Sequence, residues 1–508
     1  MSNGAGREYS DSALFRPLRS GGRCVVIRSE RRIAKYLTID RVRRCPRPPN
    51  VILSNSRQIV RAARNLRDKA PKNGLAAICL LLGNLLPFGA GAQVTEPLLP
   101  VPAPPSGPQA PALPGQPTYP GQTVTQRPRP EFQPVGLRVG DFFWFPRGEL
   151  DASYNSNIFA SPTPTSDLIT TLQPSFDLLS NFPRNALNLH GGASSQFYAD
   201  HAGQNTQDGI VNVDGRLDIT AGSNLYGSAQ AAHQHIAFGN PNSPGNIAQP
   251  VTYNDYVARL GYTQGGRRFS YGADLAVNSA QYNGVPLVGG GILPQSSQNT
   301  IISEAALRAG YELIPDYLGY IRTAGSLYDY PRTTPGGIRF NSTVYRVNLG
   351  LQILPRHIVY GEIYTGYLVQ NFALSSLGSA SAPDVGGRLA WDVTRLTNLT
   401  FTGRRTFIPG NPSIGTVGAG YLASTFTVTG DHELLRDLLL SVSAGYENDS
   451  FQGTVRTDNV LNAGAGIRYL VNRNLFLGGT YSFQRRDSTL AGSSYTQNVL
   501  LLRLGTQF

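Results

Sequence analysis

Charged side chains recur on the polar faces of alternating segments between residues 147 and 508. A row of arginines could attract anionic solutes, for example acidic sugars. The same arginines could instead form salt bridges with nearby carboxylates, since the two signs are nearly balanced. The candidate bases are Arg216, Arg259, Arg308, Arg346, Arg388, Arg404, Arg468 and Arg503. The candidate acids are Glu149, Asp151, Asp214, Asp218, Asp274, Glu304, Glu362 and Asp392.

Residue patterns typical of catalysis or metal binding are scarce. His233 and His235 lie two apart on one strand face, a spacing that can chelate a metal, but no carboxylate-rich motif accompanies them. The glycine-rich stretch 284–295 lacks the lysine and the following helix of a phosphate loop. No Gly-x-Ser-x-Gly elbow is present. We therefore expect no cofactor, no metal and no catalytic residue, with an enzyme as a minor alternative.

These side chains lie in segments where apolar residues fall at every second position. In the stretch YRVNLGLQI, Tyr345, Val347 and Leu349 point one way while Arg346 and Asn348 point the other. A period of two is the pattern of a β-strand with a different environment on each face. The fold class is therefore all-β.

We predict about eighteen strands, with sixteen as the alternative. Short connections such as 221–224 and 395–398 alternate with long ones such as 236–250, 283–298 and 447–458. This layout is typical of a closed antiparallel transmembrane β-barrel with tight periplasmic turns and longer outward loops. Closure is required, because unpaired strand edges cannot be solvated in lipid. A soluble sandwich is disfavoured, because alanine, glycine and threonine are frequent on the apolar face and aromatics cluster at strand ends.

The last strand indicates what the apolar face contacts. Leu500, Leu502 and Leu504 share one face, and the chain stops on Phe508. We expect the leucines to face lipid and Phe508 to lie at the periplasmic interface. These four residues also match the signal read by the barrel-assembly machinery, although Thr506 departs from that pattern.

A barrel of this size has an aqueous interior unless loops fold into it. Tyr360 and Tyr364 would face this interior, where they could stack on sugar rings or serve as ordinary wall aromatics.

The net charge of +12 comes from the first part of the chain. Residues 1–92 hold 18 basic and 5 acidic residues, whereas the remainder holds 26 and 27. A basic surface for nucleic acid is therefore not expected in the body. The three cysteines, Cys24, Cys45 and Cys79, also precede residue 92, which suits an oxidising compartment.

The composition divides the chain into four segments. Residues 1–68 form an arginine-rich leader, which is either genuine or the result of a mis-assigned translation start. Residues 69–92 read as a secretory signal peptide with a cleavage site at Ala90 and Ala92. Residues 93–136 are proline-rich and read as a disordered periplasmic linker, either a spacer or a tether for a partner. Residues 137–508 form the barrel.

The stretch 148–200 resembles the opening of the family called putative beta-barrel porin 2. The matching residues are Glu149, Tyr154, Asn157, Ile158, Phe159, Ser166, Asp167, Pro174 and Arg184. The resemblance implies an outer-membrane barrel of a Gram-negative bacterium, often encoded beside exopolysaccharide genes. It supplies no catalytic residues.

We accordingly expect a porin-like channel that takes part in exopolysaccharide export across the outer membrane. The alternative is a plugged structural or adhesive barrel that acts through its extracellular loops. The expected partners are outer-membrane lipid, the barrel-assembly machinery, polysaccharide and periplasmic export components.

Overall fold

The computed structural model describes residues 122–508, except for 267, 335, 376–377, 413 and 415–419. It also gives the backbone of a short hairpin, Leu18–Ser20 with Arg23–Val25, which belongs to a separate unit, Met1–Ile78. The predicted signal peptide, the rest of the leader and residues 93–121 of the predicted linker lie outside the described residues. No helix in the described part of the chain is long and apolar enough to cross a bilayer.

Eighteen long antiparallel strands form one closed barrel, in which each strand pairs with its neighbours in sequence and the last pairs with the first. They are β1 Phe142–Asn155, β2 Asp167–Ser180, β3 Ala186–Tyr198, β4 Thr206–Thr220, β5 Ser223–Ile236, β6 Val251–Gly265, β7 Phe269–Tyr282, β8 Thr300–Ile314, β9 Tyr317–Asp329, β10 Ser342–Ile353, β11 Val359–Phe372, β12 Ser379–Thr394, β13 Thr397–Pro409, β14 Gly420–Leu435, β15 Leu438–Gln452, β16 Thr457–Leu470, β17 Leu475–Ser488 and β18 Tyr495–Gln507. A three-residue strand, Leu137–Val139, pairs with the start of β1.

The register separates an apolar outer face from a polar inner face. Leu500, Leu502 and Leu504 of β18 are about half exposed and lie opposite Tyr154, Ala152 and Leu150 of β1. Residues paired across two strands project from the same face of the sheet. The intervening pairs, such as Arg503 with Asp151, therefore point into the barrel. This is the pattern expected when hydrocarbon surrounds the outside.

Exposed aromatic side chains lie near both ends of the strands, as in the two aromatic girdles of membrane barrels. The loop end of the barrel carries Tyr154, Phe197, Tyr345, Tyr367 and Tyr446. The tight-turn end carries Trp144, Phe269, Trp391, Tyr469 and the terminal Phe508. The backbone amide of Phe508 donates a hydrogen bond to the carbonyl of Pro146 at 3.1 Å, which fixes the end of the chain to β1.

The tight turns share a local geometry. Four of them contain two residues, 221–222, 315–316, 395–396 and 436–437, and each follows a β-bulge. Gly222 has φ +84°, in the left-handed region that favours glycine, and a Cβ there would collide with the carbonyl of Gly265. Asp316 adopts the same region with φ 70°. Both chain ends of the barrel lie at this tight-turn end.

One interruption of the hydrogen-bond ladder lies between β12 and β13. Their register ends at Gly386 opposite Arg404, although β12 begins at Ser379 and β13 runs to Pro409. Pro383, which has no amide hydrogen to donate, lies in this stretch. The exposed neighbours Ser379 and Ser381 are polar, so this edge lies at the level where water and lipid headgroups can solvate it.

Two expectations from the sequence differ from the structure. Residues 447–458 were predicted as a loop, but β15 continues to Gln452 and β16 begins at Thr457, which leaves a loop of 453–456. The acids Glu447, Asp449 and Asp458 gave this strand pair a loop-like composition, yet they face the lumen, where polar side chains belong. Residues 122–136, assigned to a disordered linker, are ordered against the tight-turn end of the barrel.

Neighbouring leucines of β18 provide a matched test of the two faces. We predict that Leu502→Arg lowers the free energy of unfolding by about 2–4 kcal/mol, because it places a charge in hydrocarbon near mid-strand. Leu501→Arg, one residue away on the inner face, should cost much less. Denaturant unfolding in phospholipid vesicles measures both. Equal losses for the two variants would contradict the assigned faces.

Candidate functional site: the lumen and its mouths

All of the predicted charged candidates project from the inner face of the barrel. Along each strand, these charged residues alternate with exposed apolar residues that face outward, such as Leu217, Leu260, Leu307, Val347 and Ile467. The arginines are Arg216, Arg259, Arg308, Arg346, Arg388, Arg404, Arg468 and Arg503. The acids are Glu149, Asp151, Asp214, Asp218, Asp274, Glu304, Glu362 and Asp392. They are spread around the lumen and do not converge on one pocket.

The seam between β1 and β18 is closed by a charged network on the inner face. Arg503 donates two hydrogen bonds to the carboxylate of Asp151, at 2.8 and 2.7 Å, and lies 2.6 Å from a carboxylate oxygen of Glu149. Glu149 also pairs with Arg147. The guanidinium of Arg147 lies 4.8 Å from the ring centre of the buried Phe476. This network links the first and last strands, which have no loop between them.

The wall formed by β8 to β12 carries buried ion pairs. Arg322 lies 3.0 Å from Glu304, and Arg346 lies 3.2 Å from Asp384. Arg308 lies 3.5 Å from Glu362, and its guanidinium covers the ring of Tyr320 at 3.7 Å. These arginines are thus paired with wall carboxylates, as in the second of the two alternatives raised by the sequence. On this wall Arg308, Arg322 and Arg346 do not form an open anion path.

Tyrosines on the same wall lie flat against it. Tyr320 covers Gly350 of the next strand, where a Cβ would collide with the ring. Glycine opposite an aromatic is a recurrent device that lets the ring lie on the sheet. Tyr360 and Tyr364, the two candidates for sugar stacking, are also buried in the wall, with 8 and 9% of their surface exposed. This geometry is that of wall aromatics.

The wall formed by β2 to β7 is rich in aspartates whose partners are mostly not arginines. His190 lies between Asp177 and Asp214, at 2.6 and 3.0 Å. The side chain of Asn278 donates to Asp255 at 2.7 Å, and the hydroxyl of Tyr226 donates to Asp274. Amide and hydroxyl donors do not neutralise a carboxylate, and the aspartates of this wall outnumber Arg216 and Arg259, so the sector carries net negative charge.

The wall formed by β13 to β18 carries two neighbouring rows of neutral polar side chains near mid-strand, with lumen-facing charges such as Arg404 and Glu447 on the loop side and Arg468 and Arg503 on the tight-turn side. One row across these strands contains Thr402, Thr427, Asn462, Gln484 and Gln497. A neighbouring row contains Thr400, Thr429, Ser443 and Ser482. The amide of Gln484 donates to Asn462 at 2.9 Å, and the hydroxyl of Tyr495 donates to Gln484 at 2.8 Å. These two rows offer many weak hydrogen-bonding groups that carry no charge.

The loop 237–250 crosses the outer mouth of the barrel. It connects β5 to β6, yet its Asn242 donates to the carbonyl of Pro409 on β13 at 3.2 Å. The side chain of Asn411 donates to the carbonyl of Asn242 at 2.9 Å and to Gln295 at 3.2 Å. Its backbone amide donates to the Asn242 side chain at 3.0 Å. We call the loop 237–250 with these amide contacts the crossbar.

The residues that carry the family resemblance, in and beside the first strands, hold the outer loops in place. Asn157 donates through Nδ2 to the carbonyls of Ser161 and Thr496, at 2.8 and 3.1 Å, which fixes the first loop to β18. The ring of Phe159 packs edge-on against Phe238 of the crossbar, with ring centres 5.2 Å apart. These residues therefore act as clamps of the outer mouth.

Asp167 clamps the second outer loop, 199–205. Its carboxylate accepts hydrogen bonds from the backbone amides of Leu168, Asp200 and His201, at 2.7, 3.1 and 3.0 Å. Nδ1 of His201 lies 2.8 Å from the same carboxylate. The sequence around Asp167 gave no indication of this role, because the loop residues that it binds, Asp200 and His201, lie more than thirty positions further along the chain.

The two histidines with chelating spacing engage separate partners. Nδ1 of His233 lies 2.8 Å from the side-chain oxygen of Asn254, and Nδ1 of His235 lies 2.7 Å from Asp208. Within the described part of the chain, no three His, Cys, Asp or Glu side chains are grouped so that they could hold a metal ion.

A closed eighteen-strand barrel with an apolar belt, aromatic girdles and a polar lumen defines a porin-like outer-membrane protein. The sequence matches the family described as "Putative beta-barrel porin 2" over residues 129–508, and the chain belongs to that family. Barrel and family together imply an outer-membrane protein of Gram-negative bacteria.

Solved structures with a similar fold include three outer-membrane proteins. They are the ferric citrate transporter FecA in its unliganded form (11% identity, 72% of this chain and 61% of FecA covered, TM-score 0.39), Pseudomonas aeruginosa OpdK with vanillate (11%, 72% and 99%, 0.38) and Acinetobacter baumannii OccAB3 (10%, 73% and 100%, 0.40). At this similarity they carry no argument about function. No curated protein matches the sequence.

The hydrogen bonds of Asp167 hold the loop 199–205 against the barrel. Asp167→Ala should free the loop 199–205, because each hydrogen bond to a charged group contributes about 1.5–3 kcal/mol. We expect faster cleavage of this loop by proteinase K in intact cells. The exposed neighbour Asp200→Ala serves as the control and should leave the cleavage rate unchanged. Equal cleavage of both variants would show that Asp167 does not hold the loop.

Proposed function

We propose that this protein is a channel through which an exopolysaccharide crosses the outer membrane. The observation that carries the proposal is the pair of neutral polar rows on β13 to β18, where amides and hydroxyls follow one another from strand to strand around the lumen wall. Sugar hydroxyls can exchange hydrogen bonds along such rows. A channel needs sites that are weak and repeated, so that a solute can both enter and leave.

The charge distribution supports a neutral or weakly charged polymer as the substrate. Arg308, Arg322 and Arg346 are occupied by Glu362, Glu304 and Asp384, which leaves little cationic attraction on that wall. The aspartates of β2 to β7 repel polyanions. The proposal therefore departs from the expectation that arginines guide acidic sugars.

We propose no catalytic step for the chain. The lumen-facing His190 is held between two aspartates, and no serine in the part of the chain that the structure describes is among its hydrogen-bond partners. We also propose that the barrel-assembly machinery engages the outward residues Leu500, Leu502, Leu504 and Phe508, which form an exposed apolar row on the terminal strand. Periplasmic export components would deliver the polymer to the tight-turn end.

Vesicle swelling with sugars of matched length tests the substrate class. The purified full chain in phospholipid vesicles should admit neutral malto-oligosaccharides faster than oligogalacturonates, because the β2 to β7 wall is negative. Asp214→Asn together with Asp274→Asn should narrow this difference, while the exposed Asp487→Asn, which pairs with Arg485, should not. Faster entry of the acidic sugars would contradict the proposed substrate class, and exclusion of both would contradict a channel.

The crossbar favours a second candidate function, an adhesive barrel whose outer loops are the working surface. Four hydrogen bonds join the crossbar loop and Gln295 to Pro409 and Asn411, and they narrow the outer mouth. In an adhesin this closure would be permanent. In a channel the crossbar would only limit the passage.

Conductance in planar bilayers separates these two functions. Asn411→Ala removes hydrogen bonds of about 0.5–1.5 kcal/mol each and should loosen the crossbar. We expect ionic conductance from the unmodified protein and a higher conductance from this variant. Asn283→Ala, which removes only an exposed bond to Thr252, is the control and should not differ from the unmodified protein. Silence of both the unmodified protein and Asn411→Ala would favour the adhesive barrel.

A further inference from the structure

The segment 122–136 leads into β1 across the tight-turn end of the barrel. It begins with a single 3₁₀ turn, Val124–Gln126, in which the side chain of Gln126 accepts a hydrogen bond from the amide of Thr123 at 3.0 Å. Val124 is fully buried and Thr123 nearly so. Burial of this kind is not expected of a flexible spacer.

Arg129 is the central anchor of the segment. Only 3% of its surface is exposed. Its guanidinium donates to the carboxylate of Glu433, on the inner face of β14, at 2.6 Å. It also donates to the carbonyls of Val124 and Arg127, at 2.8 and 3.1 Å, which folds the segment around the ion pair. Removing one partner of such a pair leaves a buried charge without compensation.

Further contacts fix the segment to the rim. Arg127 donates to the carbonyl of Arg395 in the turn between β12 and β13. Glu131 accepts a hydrogen bond from Arg436, in the turn between β14 and β15, at 2.7 Å. The backbone amide of Glu131 and the Arg436 guanidinium hold the pKa of the Glu131 carboxyl below its ordinary value. The contacts are therefore complementary in charge as well as in position.

The far end of the segment reaches the closing strand. The side chain of Gln507 on β18 donates to the carbonyl of Phe132 at 3.2 Å. The segment thus extends from β12 to β18 across the inner side of this end of the barrel. Inward-facing Leu439, Leu470 and Phe476, on the strands between these anchors, are all buried.

Pro128 and Pro130 help to explain why so short a segment keeps one conformation across the end of the barrel. Proline fixes φ, so less conformational entropy is lost when the chain is ordered. It also has no amide hydrogen that would need a partner at the mouth. The carbonyl of Pro128 accepts a hydrogen bond from Arg436 at 3.5 Å.

We propose that residues 122–136 form a strap that narrows the periplasmic entrance of the lumen and opens when the Arg129–Glu433 pair breaks. The proline-rich residues 93–121 lead directly into the strap, so tension or binding on that stretch would act on the pair. The effect on flux rests on the proposed channel function. The seating of the strap does not, and it can be measured separately.

Thiol labelling measures the seating. The full chain, with its three native cysteines replaced by serine, carries Val124→Cys and is reconstituted in phospholipid vesicles. A membrane-impermeant maleimide added to the tight-turn side should react slowly with this buried thiol. Arg129→Ala or Glu433→Gln in the same background should raise the reaction rate by about tenfold or more, because Glu433→Gln leaves the buried Arg129 without its carboxylate and Arg129→Ala leaves Glu433 with only Arg436 at 3.7 Å. Arg138→Ala, which removes only a bond to the carbonyl of Gly140, is the control and should leave the rate unchanged.

Conductance of the same variants measures the gating. Arg129→Ala and Glu433→Gln should conduct more than the unmodified chain, and the gel mobility of heated and unheated samples verifies that their barrels are intact. Fast labelling of Val124→Cys in the unmodified background would refute the seated strap. Fast labelling in the variants without a rise in conductance would refute its role in narrowing the entrance. If no variant conducts, the channel function fails while the labelling still decides whether the strap is seated.

Discussion

Every backbone amide and carbonyl in the hydrocarbon of a membrane must find a hydrogen-bond partner within the protein. A sheet meets this condition only if its two edge strands pair with each other, so β1 and β18 must close the barrel. The inner face of that seam carries Arg503 bound to both Glu149 and Asp151, which adds charged side-chain bonds to the backbone ladder. The pairing at this seam is antiparallel, so the strand number is even and both chain ends lie at one mouth.

Closure also creates an interior that the protein must fill or line. The lumen is divided into an acidic wall, a wall of ion pairs and flat tyrosines, and a wall whose middle carries rows of neutral amides and hydroxyls. The crossbar limits the outer mouth, and the segment 122–136 lies across the inner one. With the proposed narrowing of the inner mouth, such a polar lumen suits the proposed conduit for a selected solute better than an open diffusion pore.

Much of the fold could be predicted because a period of two in the sequence directly reports which side chains face lipid. The leucines of β18 and the inward position of Arg346 follow from this alternation alone. Alternation cannot report which residues distant in the sequence meet in the fold. Arg503 and Asp151 are 352 positions apart, and Asn242 and Asn411 are 169 apart. The strand register, the crossbar and the partners of the arginines therefore could not be predicted from the sequence and are known only from the structure.

Composition misled the interpretation in two places for the same reason. Acids at 447–458 resembled a loop because charges are rare in strands of soluble proteins, yet a water-filled lumen tolerates them. Prolines at 122–136 resembled a linker because proline excludes helices and central strands. Two charged residues among those prolines could have indicated an ordered segment. Arg129 has its partner on β14, and Glu131 has its partner in the turn that follows β14.

Lipid surrounds a closed cylinder whose interior is aqueous. Spin labels placed singly at each residue from 499 to 507 of β18, in phospholipid vesicles, test it most directly. Collision rates with oxygen, which partitions into lipid, and with a water-soluble nickel chelate should alternate with a period of two and in opposite phase. Even positions should favour oxygen and odd positions the chelate. Uniform accessibility along the strand, to either reagent, would contradict the account.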